Sequence, residues 1–163
     1  MWEVIIVVLL VVILLYGLHW LSYSFVKGRI MGERVWDLNI CCGRTDGGGV
    51  NVDIVEFGGI KNFREVVDVC ALPFGGGEFE WVLSSHTVEH LDDPVVFDKE
   101  LRRVGRHVVY IVPPLWDVGA VLNVLEHRWV FLTFRKRHER LPRHVRLPGA
   151  RTIQRFIGQK IKA

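Results

Sequence analysis

The residues of this chain whose types could do chemistry gather in a few short runs. Asn39-Ile-Cys-Cys-Gly43 closes one apolar run, and a small residue there lets the backbone approach a ligand closely. Asp53 closes the next run, a carboxylate suited to accept two hydrogen bonds from a ribose diol. Asp68 stands five residues before Pro73 in Asp68-Val-Cys-Ala-Leu-Pro-Phe74. A further run delivers Ser84, Ser85 and His86, and an imidazole at such an edge is a candidate general base. His86-Thr-Val-Glu-His90 also fits H-x-x-E-H, in which histidines four apart on one helix hold zinc and the glutamate is the base. That zinc-hydrolase reading needs His86 on a helix, whereas a strand pattern runs directly into it. Its best third ligand is Glu126.

Elements that would position these residues follow from periodicity. Alternation predicts strands over 34–40 and 48–54, and a strand over 79–85 follows the Gly75-Gly76-Gly77 turn. Residues 93–104 read as a helix, with Pro94 in its first turn and Val96, Phe97, Leu101 and Val104 at helical spacing. His107 to Val112 is a buried-strand run ended by Pro113-Pro114. Phe57 to Val67 is compatible with a turn of helix, Val118 to Glu126 with a helix, and Trp129 to Phe134 with a strand. Arg135 to Arg146 takes no assignment, and His127-Arg128 has no motif of its own. Strands alternating with helical or loop segments predict an α/β fold with a parallel, doubly wound sheet. In such sheets ligands bind beyond the C-terminal strand ends, where the residues above collect.

With 163 residues there is room for one domain beside the N-terminus. From Met1 to His127 the net charge is −7, and from Arg128 to Ala163 it is +10, so an acidic body carries a basic tail. That tail suits anionic lipid headgroups, nucleic acid or plain solvation; the acidic body would repel phosphate, which disfavours nucleic acid as partner. Three cysteines with no C-x-x-C spacing read as free thiols in a reducing compartment, and no metal ligand set is assigned.

Val4 to Val26 carries no formally charged residue if His19 is neutral, and as a helix it would span about 34 Å. Trp2 at one end and Tyr16, Trp20 and Tyr23 toward the other resemble interfacial aromatics. Lys27, Arg29 and Arg34 follow, and the positive-inside bias puts the remaining chain on the cytoplasmic side of a single-pass anchor in the bilayer. The expected organisation is an anchor over 1–26, a juxtamembrane linker over 27–33, a core over 34–127 and a basic segment over 128–163.

Six pieces in order, Leu38 to Gly43, Val52 to Ile54, Asp68 to Phe74, Glu78 to Pro94, Glu100 to Gly105 and Val112 to Pro114, resemble the class I S-adenosylmethionine (SAM)-dependent methyltransferases. The likeness is to their small methyltransferase-type-11-like branch and covers residues 35–117. It implies an abbreviated Rossmann-like sheet with SAM as cofactor. Asn39, Cys41 and Gly43 would lie under the methionine part, and Asp53 would hold the ribose. Asp68, Val69 and Cys70 would meet the adenine, while Ser85 and His86 would border the methyl-transfer pocket. Glu89 and His90 would stand behind them on the first turn of a helix.

Methyl transfer is an in-line displacement helped mainly by proximity and orientation, with His86 as candidate base. Asn39 replaces the usual acid of the first loop, and Cys41 its first glycine. The nine residues between Gly43 and Asp53 leave no room for a helix, so the second strand is expected to pair differently or weakly. These departures give the alternative of a membrane-tethered SAM-binding module without the reaction. An anchored enzyme implies a membrane-borne or lipid-linked acceptor, close to the bilayer at high local concentration. Asp53 and Asp68 also read as loop caps, and the cysteines as small core fillers.

Overall fold

The computed structural model describes residues 1–159; the last four residues of the basic segment lie outside the described residues. Three N-terminal pieces run on without a break: α1 (Trp2–Trp20), a π-helical stretch (Leu21–Val26) and α2 (Lys27–Met31). Together they form a 30-residue rod about 45 Å long, the one described helix long and apolar enough to cross a membrane. Residues 2–14 are exposed. Farther down, Leu15, Leu18, Ser22, Val26 and Ile30 form a stripe at helical spacing that turns toward the protein. Lys27 to Met31, within the stretch read as a linker, is therefore helical and packed, and the Trp36 indole donates to the Met31 carbonyl at 3.0 Å.

Six strands make the main sheet: β1 (Trp36–Ile40), β2 (Gly48–Asp53), β3 (Phe63–Glu65), β4 (Phe79–Ser85), β5 (Gly105–Ile111) and β7 (Arg137–His138). Their order is β3-β2-β1-β4-β5-β7, all parallel except β7, which runs antiparallel to β5. A separate ribbon pairs β6 (Trp129–Phe131) with β8 (His144–Arg146). The expected α/β, mostly parallel sheet is present, with its chain order reversing between β1 and β4.

One face of the sheet lies under α3 (Pro94–Val104). Asp93 caps this helix by accepting from Val95 and Val96, and Phe97, Leu101 and Val104 sink onto Ile40, Val52, Val82 and Tyr110. On the opposite face Leu83, Val109 and Ile111 pack with Trp36 against Ile30 and Val26 of the rod. The N-terminal helix thus supplies the second layer that a doubly wound sheet requires.

Several expectations change. β2 pairs with β1 in ordinary parallel register, Leu38 beside Val50 and Ile40 beside Val52, despite the missing helix. Buried Asn39 and Asn51 do the linking: Asn39 Nδ2 donates to Thr45 O at 2.7 Å and to Asn51 Oδ1 at 3.0 Å. Asn51 Oδ1 also accepts from Gly47 N. Phe57 to Val67 holds no helix; bends lead into β3, which completes the edge beside β2. Only Val118–Val121 of the next candidate is helical, forming α4. The tail supplies β7, β8 and α5 (Ala150–Ile157).

Candidate functional site

The exits of β1, β2 and β4 meet on one rim. After β1 the chain takes positive φ at Cys41 (50°) and Gly43 (55°), and after β4 at His86 (54°). Such a conformation costs a residue with a Cβ about 1–2 kcal/mol, so the strain falls on two side chains of this rim. Gly43 N donates to Asp53 Oδ2 at 2.9 Å, and Ile54 N to Asp53 Oδ1 at 2.8 Å. Asp53 is buried and ties the first loop to the second strand, while each carboxylate oxygen keeps a further lone pair. Cys41 packs between these loops. Burial pushes its thiol well above the ordinary range, and the nearby Asp53 and Cys70 add to the rise. Burial likewise pushes the Cys42 thiol up, to about 11. The Cys70 thiol rises through burial and then Asp68. All three are protonated at neutral pH and serve as small apolar fillers, not nucleophiles.

The loop before β4 is held from below. Glu100 Oε1 accepts from Leu72 N at 2.6 Å, and Arg103 bonds Glu100 while donating to the Leu72 and Phe74 carbonyls. Glu100 and Arg103 thereby clamp the Asp68–Phe74 loop to α3. Within that loop Val69 turns into the core, and exposed Asp68 accepts from Cys70 N at 2.7 Å.

Gly43, Asp53, Cys41 and Cys70 are thus brought together, with Asp68 at the outer edge. Asn39 is not at the rim surface; its side chain points into the Asn51 network.

Beyond β4, His86 Nδ1 lies 3.1 Å from Glu89 Oε1, a carboxylate with no exposure. Burial pushes the His86 imidazole down; at Glu89 burial pushes the carboxyl up, but the hydrogen bond from His86 together with the fields of His86, His90 and His127 outweighs it, and the carboxyl is brought down. A neutral imidazole beside a carboxylate donates through Nδ1, which leaves Nε2 as an acceptor. Ser84 Oγ, Ser85 Oγ, His86 Nε2 and Glu89 Oε2 are all buried without a partner in the protein. Buried polar atoms normally find partners, so this cluster has unmet bonding capacity at the rim.

Residues 87–90 form turns, not a helix, so His86 and His90 do not share a helical face as the H-x-x-E-H zinc reading requires. The same geometry corrects the expectation of Glu89 and His90 on a first helical turn.

Several rim residues carry no sequence signal. The Tyr23 ring of the rod lies 5.3 Å from the His86 ring. Lys136 Nζ donates to Ser22 Oγ at 2.6 Å, and His19 Nδ1 lies 3.1 Å from buried Asp117 Oδ1. His127 packs edge-on to His90, the ring centroids 4.8 Å apart. Contacts spanning dozens of residues leave no local spacing to detect.

Fold and rim together define an α/β protein of the doubly wound, Rossmann-like kind, with its candidate site at the topological switch between β1 and β4. Residues 50–112 match the family model described as a methyltransferase domain. No curated protein matches the sequence. Among solved structures, a SAM-dependent methyltransferase from Aquifex aeolicus is 15% identical, with 61% of this chain and 73% of that one covered at a TM-score of 0.42.

Proposed function

We propose that this chain is a SAM-dependent methyltransferase held at a membrane by its N-terminal helix. The supporting observation is the convergence of Gly43 and Asp53, 2.9 Å apart, at the β1/β4 switch, with Asp53 and β4 lying within residues 50–112, which match a methyltransferase domain. In this reading the Cys41–Gly43 turn underlies the methionine moiety and Asp53 receives the ribose hydroxyls through its free lone pairs. Asp68, Val69 and Cys70 border the adenine, while Ser85 and His86 line the methyl-transfer end. His86 Nε2 accepts the proton of the acceptor group as the methyl is transferred, and Glu89 holds the imidazole in the required tautomer.

Support for the membrane placement is the apolar surface of the rod, continued outward by Tyr16, Trp20, Tyr23 and Phe25. Next to it α4 packs on α1 and exposes Val118 and Leu122. The domain then rests against the interface, on the cytoplasmic side by the charge bias of Lys27, Arg29 and Arg34. A lipid, quinone or membrane-protein acceptor fits that location better than a freely diffusing metabolite.

Calorimetry of the full chain in lipid nanodiscs with SAM, followed by transfer of labelled methyl into a membrane extract, tests both parts. Binding with turnover supports the enzyme. Binding without turnover leaves a tethered SAM-binding module, a reading favoured by the Asn39 and Cys41 departures. No binding ends both.

A further inference from the structure

Behind the His86–Glu89 pair, one ligand atom from each of Glu89, His90 and His127 lies within 4.8 Å of the other two. The remaining bonds of these residues leave the required lone pairs free. Glu89 engages Oε1 with His86 and leaves Oε2 buried and unpartnered. His90 commits Nδ1 to the Glu126 carbonyl at 3.0 Å, which leaves Nε2. His127 leaves Nδ1 buried and unpartnered, and its ring lies near the Ala120 backbone. A histidine whose second nitrogen is fixed by a backbone carbonyl, as in His90, is the usual arrangement of a metal-binding imidazole.

The surroundings hold this trio in place. Arg128 N donates to the Glu89 carbonyl at 2.7 Å, which brings the His127 loop onto the 87–90 turn. Gln154 Nε2 bonds the Val124 and His127 carbonyls, and Gln159 Nε2 bonds those of His90 and Glu126. Two glutamines of the C-terminal segment thus staple the loops that carry the three side chains.

We propose that Glu89 Oε2, His90 Nε2 and His127 Nδ1 bind one divalent transition-metal ion of the zinc type. Two imidazoles and one carboxylate form a donor set for zinc, cobalt or iron, whereas magnesium and calcium prefer oxygen alone. Ligands bonded to zinc at about 2.0–2.1 Å stand about 3.3 Å apart, so no pair of the trio closes by more than about 1.5 Å on binding. Three protein ligands leave at least one coordination position for water or an oxygen of an acceptor. The site differs from the H-x-x-E-H pattern: His86 orients Glu89, and the third ligand comes from His127, far along the chain.

The full chain in detergent, stripped with chelator and titrated with Co2+, tests this directly. We expect d–d absorption saturating at one ion per chain, abolished by competing Zn2+. His127→Gln and His90→Gln should each weaken binding more than about 100-fold, and His107→Gln, on the outer surface against Trp81, should leave it unchanged. Zn2+ should raise the melting temperature of the wild type but of neither ligand variant. Circular dichroism establishes that each variant is folded, and two independent ligand variants cover the loss of one. Absence of a Co2+ spectrum, or unchanged affinity in both folded variants, overturns the proposal and leaves water as the bridge among the unpartnered atoms.

Discussion

Lys136 and Ser22, 114 positions apart, share a buried hydrogen bond of 2.6 Å that fastens the N-terminal helix to the segment entering the last strand of the sheet. The Lys136 backbone carbonyl accepts from Val112 N at 3.0 Å, so the same residue also extends the sheet edge. Through this contact and the Ile30 stripe the helix is a structural layer of the domain as well as a membrane-sized segment.

Lys136 gives stability a distinct pH dependence. Burial pushes its ammonium down to about 8 from the ordinary 10.5, opposed by Asp117 and Glu89 and reinforced by Lys27. Its folded pKa is below its unfolded one, so between about 8 and 10.5 the unfolded chain holds more of this proton. The Lys136 contribution to stability therefore rises with pH across that window, by about 3 kcal/mol at most. Buried Cys41, Cys42 and Tyr110 are shifted up and act in the opposite sense, so the measurement is a difference. Denaturant midpoints of the wild type and Lys136→Met should diverge, the wild type gaining on the variant from pH 8 to 10. Parallel curves would refute the assignment.

Asp53 has both a structural and a binding role. Asp53→Ala orphans the buried Gly43 N–H, at a cost of about 1–3 kcal/mol, and should weaken SAM binding at least about tenfold. Asp53→Asn keeps an accepting oxygen and should cost less in stability. Thermal melts and calorimetry with SAM separate the two effects, and a SAM affinity untouched by both changes would count against the ribose role.

For His86 the expectation is a loss in kcat. His86→Gln should lower turnover by about 10²–10⁴-fold while the KM for SAM stays near its wild-type value. An equal loss in SAM affinity would mark His86 as a binding residue instead.

Gly49 lies where β2 crosses close to β1. A Cβ there would collide with the Trp36 backbone oxygen and stand 2.7 Å from that of Asp37, so Gly49→Ala should destabilise by about 1–3 kcal/mol. Gly119→Ala meets nothing within 4 Å and should be neutral or slightly stabilising. Chemical denaturation of the two variants checks the contrast.

Truncation separates the halves of the N-terminal helix. Deleting residues 1–14 removes only exposed side chains and should leave the domain folded. Deleting residues 1–31 uncovers Leu83, Val109 and Ile111 and removes Ile30, at a cost of about 2–5 kcal/mol or more. Equal melting temperatures for the two fragments would show that the docked half contributes nothing.

Local pattern made the central strands and α3 readable. Alternation marks 34–40, the Gly75-Gly76-Gly77 turn introduces the strand at 79–85, and Asp93-Pro94 followed by Phe97, Leu101 and Val104 marks a capped helix, because these signals arise within a few residues. β3 has three residues and β7 only two, too few for any period, and both exist because an edge of the sheet offers unpaired backbone groups. The Asn39–Asn51 network that replaces a crossover helix is likewise invisible in spacing, since its bonds join side chains across strands.

The sequence alone determined the central strands β1, β2, β4 and β5 and helix α3, the apolar length of the N-terminus and which residues end those strands. These follow from periodicity, capping and side-chain chemistry, all properties of near neighbours. Only the tertiary structure decided that the N-terminal helix covers one face of the sheet, that Asn39 points away from the rim surface and that His127 meets Glu89 and His90. Those contacts join residues far apart in the chain, and burial of apolar surface with satisfaction of buried polar groups selects them collectively once the whole chain is packed.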